Sequence, residues 1–333
     1  MDEFVYTHFN EFKHMEIPKP VATSIVYGNF PLANMIRDYE YIIKVGTDDT
    51  ISHITFVFDS TGINLYVFES PHMPLHDTII RNTCMFVYFL NKINRRKNVT
   101  IVLAAMDKTK ELPINKGATI QAIHVNGGAT YVGTEKCIVY RKEELFKVLL
   151  HELMHVYGID QTSDIYALDQ KFARKYNVTT SRLGLTEAYN DTMTCLMYGG
   201  IYIMLKNPGI SRNKYDEQFT HVTNHMWAYM TLTAAKIYNH YKVKPYGPII
   251  EDTHVFAYYI CKAALLSNWP SFIRTFGIQT LAKNTSKFGE FLEQALDNPQ
   301  FIKILNDKCS TIDMRTDINK RMIRMLNVEL PII

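Results

Sequence analysis

The apolar positions of this 333-residue chain change period along its length, and the change predicts two kinds of structure. From residue 41 to residue 140, short apolar runs alternate with polar positions and are separated by turn residues. Tyr41–Val45 and Ser52–Phe58 read as strands either side of Gly46-Thr47-Asp48-Asp49. Asp59-Ser60-Thr61-Gly62 then turns the chain into a third strand, Ile63–Phe68. Asp77–Ile93 has the spacing of an amphipathic helix, and strands return at Val99–Ala105, Thr119–Val125 and Cys137–Tyr140. Residues 1–40 mix polar and aromatic residues with Pro18, Pro20 and Pro31, which predicts an irregular N-terminal extension.

Beyond residue 141 the period becomes helical. Arg141-Lys142-Glu143-Glu144 is charged and leads into the apolar Leu145–Leu150, as expected of a helix entering a core. No Gly or Pro interrupts Lys142–Tyr157, and Gly158 supplies a stop. Helical patterns recur at Thr186–Met197, Glu217–Tyr241, Thr253–Ser267, Ser286–Asp297 and Asp317–Leu326. The pattern predicts an α+β protein: an extension over 1–40, a strand-rich part over 41–158, and a helical part over 159–333. It contains no internal repeat.

Composition narrows the function classes. Hydrophobic content of 47% and charged content of 21% are ordinary for a globular protein. A formal charge of +3 gives no reason to expect nucleic acid or an anionic membrane as partner. The basic cluster Lys92–Lys97 reads as a solvated helix end, and the longest apolar stretches, such as Ile201–Leu205, are too short to span a bilayer. The five cysteines, Cys84, Cys137, Cys195, Cys261 and Cys309, are odd in number and contain no C-x-x-C. That argues for a reducing compartment. Met1-Asp2-Glu3-Phe4-Val5 lacks a signal-peptide core, so the expectation is an intracellular protein, not a secreted one.

One pentapeptide carries chemistry. His151-Glu152-Leu153-Met154-His155 is an H-E-x-x-H motif inside the predicted helix. Positions i and i+4 share a helix face, so both imidazoles reach one metal ion. Glu152 projects from the adjoining angle, close enough to take a proton from a water on that metal. Two histidines leave room for a third protein ligand. Gly158 fits the pattern H-E-x-x-H-x-x-G-x-x-H, but its last position is Gln161, a poor zinc ligand. Asp160 is a carboxylate one residue early. The better candidate is Glu187 in Leu185-Thr186-Glu187-Ala188-Tyr189-Asn190-Asp191-Thr192, where Glu187 and Asp191 share a face at i and i+4.

In this pair of motifs the sequence resembles the gluzincins, the thermolysin-like branch of the zincin metallopeptidases. The resemblance implies Zn2+ held by His151, His155 and Glu187, with Asp191 hydrogen-bonded to His151 and Glu152 as general base. It implies a twisted mixed sheet packed on a helix, followed by the motif helix and a helical lower subdomain. It also implies an edge strand that binds extended peptide, placed here at Ile123–Thr130 with Asn126-Gly127-Gly128 allowing close approach. Members of the family use a Tyr or His from the helical part to hold the oxyanion. Tyr258 and Tyr259 are the first choice here, and His221 and His225 the second. The segments Val125–Thr130 and Tyr140–Glu144 and the Tyr258-Tyr259 helix are also similar to zincin-like proteins of large DNA viruses. The expected function is therefore a zinc peptidase acting on a peptide or protein substrate. The alternatives are an inactive module of the same fold, such as a virion component, and a zinc hydrolase of a non-peptide amide.

Overall fold

The computed structural model describes residues 1–40, 42–70, 73–131, 133–163, 165–311, 321–324 and 326. The fold class is α+β, as the periodicity predicts, and the chain forms two compact units. One unit takes Thr7–Thr109 and Asn126–Ile159; the other takes Met1–Tyr6, Lys110–Val125 and the described residues from Asp160 on.

The first unit is built on a six-stranded mixed sheet. Helix α1 (Asp2–Phe12) precedes strand β1 (Thr23–Val26), a short helix α2 (Ala33–Arg37), β2 (Thr50–Phe58) and β3 (Thr61–Phe68). Helix α3 (His76–Asn91) leads to β4 (Asn98–Met106); β5 (Gly128–Thr130), β6 (Lys136–Arg141) and α5 (Leu145–Val156) come later. The strand order is β1-β2-β3-β4-β6-β5. The pairs β3/β4 and β4/β6 are parallel and the other three antiparallel. Parallel neighbours need a crossover, and α3 supplies the one between β3 and β4. The β2/β3 hairpin is the tightest connection: Phe58 pairs with Thr61, and Asp59 and Ser60 between them both have positive φ (45° and 63°). That is the backbone of a two-residue turn matched to strand twist.

The N-terminal forty residues are not an irregular extension. Asp2–Phe12 is helical because its apolar residues recur at helical spacing, with Val5, Phe9 and Phe12 buried and the prolines all beyond its end. Phe12 packs edge-on against Phe58 of β2 and beside Tyr88 of α3, with ring centroids 6.2 and 5.9 Å away. The strand expected over Tyr41–Val45 does not form among residues 42–45. Ile42 and Ile43 are buried there, each donating its backbone N–H to the Tyr39 carbonyl in a turn. Tyr41 lies outside the described residues.

The second unit is mainly helical. Helix α4 (Ala122–Val125) stands where a strand was expected, because His124 Nδ1 accepts the Gln121 N–H at 2.9 Å and closes a turn. Helices α6 (Ile165–Lys175), α7 (Leu185–Lys206) and α8 (Arg212–Tyr241) follow, then α9 (Lys262–Ser267), α10 (Trp269–Phe276), α11 (Thr285–Leu296) and α12 (Pro299–Thr311). Two short strands, β7 (Val178–Thr179) and β8 (Ile249–Ile250), pair in parallel. Helix α7 runs past its expected end, straight through Gly199-Gly200. Each glycine costs a helix interior about 1 kcal/mol. Here close packing explains Gly200, where a Cβ would lie 2.5 Å from the Tyr215 hydroxyl of α8 and 3.0 Å from Val5 Cγ1; a Cβ at Gly199 would meet Met226 Cε of α8 at 3.0 Å, a tight contact with the end of a flexible side chain. Half of the helix expected over Asp317–Leu326 lies outside the described residues; in the other half Met322 pairs with Glu111 in an isolated antiparallel β-bridge and Ile323, Arg324 and Leu326 are not helical. No helix among the described residues is long and apolar enough to cross a membrane. All five cysteines are free thiols, four of them buried, and burial pushes Cys84 up to about 12.

Residues 256–261 form a π-helical stretch that runs directly into α9. Its start is held by Glu251, a buried side chain whose Oε2 accepts the Phe256 N–H at 2.7 Å, while Oε1 has no partner among the described residues. Burial raises the Glu251 carboxyl well above its ordinary value of 4.5, against the opposing pull of the Phe256 and Val255 N–H groups. The folded state then holds that proton more tightly than the unfolded chain. The associated stability is complete below pH 4.5 and is lost as pH rises through the folded pKa. Glu251→Gln keeps the shape and removes the titration. Denaturant unfolding at a series of pH values should find the two proteins alike at the acid end. The variant should then gain on wild type as pH rises, by about 1.4 kcal/mol for every tenfold by which folding weakens the acid. Parallel stability curves would show that the Glu251 carboxyl keeps its ordinary acidity in the folded protein.

Candidate metal centre

The motif helix α5 is bounded as its sequence requires. It begins after Glu144, whose φ of 60° breaks the chain direction, and it ends at Tyr157 and Gly158. Gly158 has φ 69°; its N–H reaches the His155 carbonyl at 2.9 Å, and Ile159 N–H reaches Met154 at 3.0 Å. This paired closure is the Schellman arrangement, which favours glycine at the left-handed position. His155 therefore lies in the last turn and His151 one turn deeper.

The two imidazoles converge. Their Nε2 atoms are 3.0 Å apart, and the rings are nearly perpendicular with centroids 4.7 Å apart. Two nitrogens on one tetrahedral zinc, each at 2.0–2.1 Å, are separated by about 3.3 Å. The spacing is thus close to that of two ligands sharing an ion. One ligand atom from each of His151, His155 and Glu187 lies within 4.8 Å of the others, and this trio is able to hold a metal ion. Two imidazole nitrogens and one carboxylate oxygen are a donor set of catalytic zinc sites. Among the described residues, neither Asp160 nor the exposed pair His221 and His225 joins such a group.

Glu152 is buried beside the ligands, and its carboxylate is held by β5. Thr130 Oγ1 lies 2.8 Å from Glu152 Oε2 and 2.9 Å from the Glu152 carbonyl oxygen. With Glu152 ionised, the hydroxyl donates to the carboxylate, the stronger acceptor. The contact depends on Gly128 two residues earlier. A Cβ there would sit 2.7 Å from the Ile138 carbonyl oxygen, 2.8 Å from Val148 Cγ1 and 2.9 Å from Glu152 Cγ. Only glycine lets β5 lie between β6 and α5 at this distance. The strand is shorter than the stretch expected over Ile123–Thr130, whose first part is α4. Burial pushes the Cys137 thiol, opposite Thr130 in the sheet, well up, and the Glu152 charge adds to the effect.

Helix α7 carries Glu187 in its first turn, and its start is fixed from α6. Asp169 accepts the N–H groups of Leu185 at 2.9 Å and Gly184 at 3.2 Å, which satisfies donors that a helix start leaves open. Burial raises the Asp169 carboxyl, while those two N–H groups, then Arg182, hold it back. Gly184 has φ 72°, and the His254 imidazole occupies the space a Cβ would need. Asp191, one turn beyond Glu187, forms a fully buried ion pair with Lys262 at the start of α9. Of the two tyrosines, Tyr259 donates its hydroxyl to the Ile323 carbonyl at 2.8 Å. Tyr258 lies edge-on to His254, with centroids 6.1 Å apart.

Thr130, Asp169 and Lys262 are not among the residues that the sequence singles out. Lys262 has a local signal, as the one charge within Ile260-Cys261-Lys262-Ala263-Ala264-Leu265-Leu266. Thr130 and Asp169 have none, since each acts on a partner 15 or more residues away.

No family model and no solved structure matches this chain. It is similar to an uncharacterised protein of Acanthamoeba polyphaga mimivirus, 22% identical over 211 residues, a match covering 59% of this chain. The match spans 53% of that protein's length.

Gly128→Ala tests the packing that brings Thr130 to Glu152. The added methyl should lower stability by about 1–3 kcal/mol, read as a lower denaturant midpoint. An unchanged midpoint would show that β5 is not pressed against α5.

Proposed function

We propose that this protein is a zinc-dependent peptidase of gluzincin type. The observation that carries the proposal is the convergence of His151, His155 and Glu187, with the buried Glu152 next to the first of them. When bound, zinc supplies Lewis acidity at the scissile carbonyl and makes water nucleophilic near neutral pH. His151, His155 and Glu187 hold it. Glu152 takes the proton of the attacking water on its carboxylate and delivers it to the leaving amine nitrogen. Thr130 fixes the rotation of that carboxylate through its hydrogen bond to Oε2. A hydroxyl from the helical part steadies the oxyanion. Tyr258 and Tyr259 are the candidates for that, and the Tyr259 hydroxyl donates to the Ile323 carbonyl. The substrate is an extended peptide or protein segment paired with β5, whose strand partner among the described residues is β6 alone. The free cysteines support an intracellular setting, and the mimivirus relative supports a viral one.

Elemental analysis of the purified protein under chelator-free conditions tests the metal. Wild type should carry one zinc per chain and Glu187→Ala none. A folded wild type that takes up no supplied zinc overturns the proposal in favour of an inactive module.

Catalysis separates two further variants. Glu152→Gln should retain zinc and lose hydrolysis of a peptide library, a loss of at least about 100-fold; residual wild-type turnover would remove Glu152 from the mechanism. Thr130→Val should keep zinc and KM and lower kcat on the order of 10-fold, with Thr130→Ser restoring it. Equal kcat in all three proteins would leave Thr130 a packing residue.

A further inference from the structure

Helix α7 is buried along most of its length, yet one face of it is polar. Glu187, Asn190, Asp191 and Thr194 fall at i, i+3, i+4 and i+7, so they form one stripe. Asn190, Asp191 and Thr194 are buried completely. Glu187 and Asp191 are two carboxylates one turn apart. Like charges at that spacing repel even on a solvated helix, and burial strengthens the repulsion. A cation is needed if both are to stay charged, and Lys262 is placed to be that cation. Its Nζ bonds Asp191 Oδ2 directly, and both side chains are wholly inaccessible to solvent.

Stability alone is a weak reason for such a pair. Removing two charges from water carries a heavy penalty for each ion, and well-packed apolar residues in their place are often as stable or more so. The local backbone also favours a functional explanation. Lys262 follows the π-helical residues 256–261, which pack on α7 and also carry Tyr258 and Tyr259. One extra residue in a helical turn rotates everything after it, and such turns are frequent at functional sites. Without it, the α-helical phase of α9 would aim position 262 elsewhere.

We infer that Lys262 is a positioning residue for the metal centre: it neutralises Asp191, so that α7 presents Glu187 as an anionic ligand without a competing charge one turn away. The inference rests on the metal reading of His151, His155 and Glu187. Removing Lys262 should cost about 10- to 100-fold in affinity, as is typical of groups behind the ligands.

The test is zinc affinity, measured by competition with a chromogenic chelator, together with the visible spectrum of the cobalt(II)-loaded protein. Lys262→Met should weaken zinc binding by about 10- to 100-fold and alter the cobalt bands, and Lys262→Arg should recover both at least in part. Lys262→Met leaves Asp191 buried alone and is at risk of not folding. The double variant Asp191→Asn with Lys262→Met has neither charge, so it should fold and leave Glu187 without a competing carboxylate, binding zinc within about 3-fold of wild type; an affinity about 10-fold weaker there would overturn the inference. Wild-type affinity and cobalt bands in a folded Lys262→Met would overturn the inference while leaving the metal reading intact. A wild type that binds neither ion overturns both.

Discussion

Desolvation is the constraint on which the rest of the structure depends. Glu152, Asp191, Lys262, Asp169 and Glu251 are all ionisable and all buried. A charge taken out of water must be paired or hydrogen-bonded, or it is given up. Each of these groups meets the demand in its own way. Thr130 bonds Glu152, Lys262 pairs with Asp191, helix N–H groups of α7 reach Asp169, and Glu251 gives up part of its acidity. The backbone features of the fold follow from these arrangements. Gly128 lets β5 bring its hydroxyl to α5, and Gly184 lets the chain enter α7 where Asp169 waits.

Ligand placement follows the same rule at a second level. Helix α5 supplies two nitrogens from one face, at i and i+4, and it does so at its end, where the Gly158 closure fixes the last turn. The carboxylate comes from another helix with an independently fixed start. A metal held in this way depends on the ends of two helices more than on their middles. Caps and left-handed glycines would then matter to metal binding as much as His151, His155 and Glu187 themselves.

The parts of this molecule legible in its sequence are those whose physics is local. The motif helix, its glycine stop and the i, i+4 histidines are all decided within twenty residues. The Asp59-Ser60 turn between β2 and β3 is another such case, fixed by strand twist on either side. Asp2–Phe12 is obscured because the prolines at 18, 20 and 31 colour the segment's composition, although none lies inside the helix. Thr119–Val125 misleads for the opposite reason. Its apolar residues suit a strand, but His124 turns back on Gln121 and closes a helical turn instead. Thr130, Asp169 and Lys262 are beyond reach because a hydroxyl, a carboxylate or an ammonium group takes its role from a partner far along the chain. Glu187 is reachable only because a downstream helix with an acid at i and i+4 is a pattern in itself.

The position of His155 in the closing turn of α5 has a thermodynamic consequence. Helix ends open more readily than helix middles, with free energies near the bottom of the range for local unfolding. A ligand placed there is released whenever the Gly158 closure breaks, and an ion bound to it holds that closure shut. Fraying of α5 and occupancy of the centre are then a single linked equilibrium, in which whatever loosens the loop after Tyr157 also lowers the residence time of the ion.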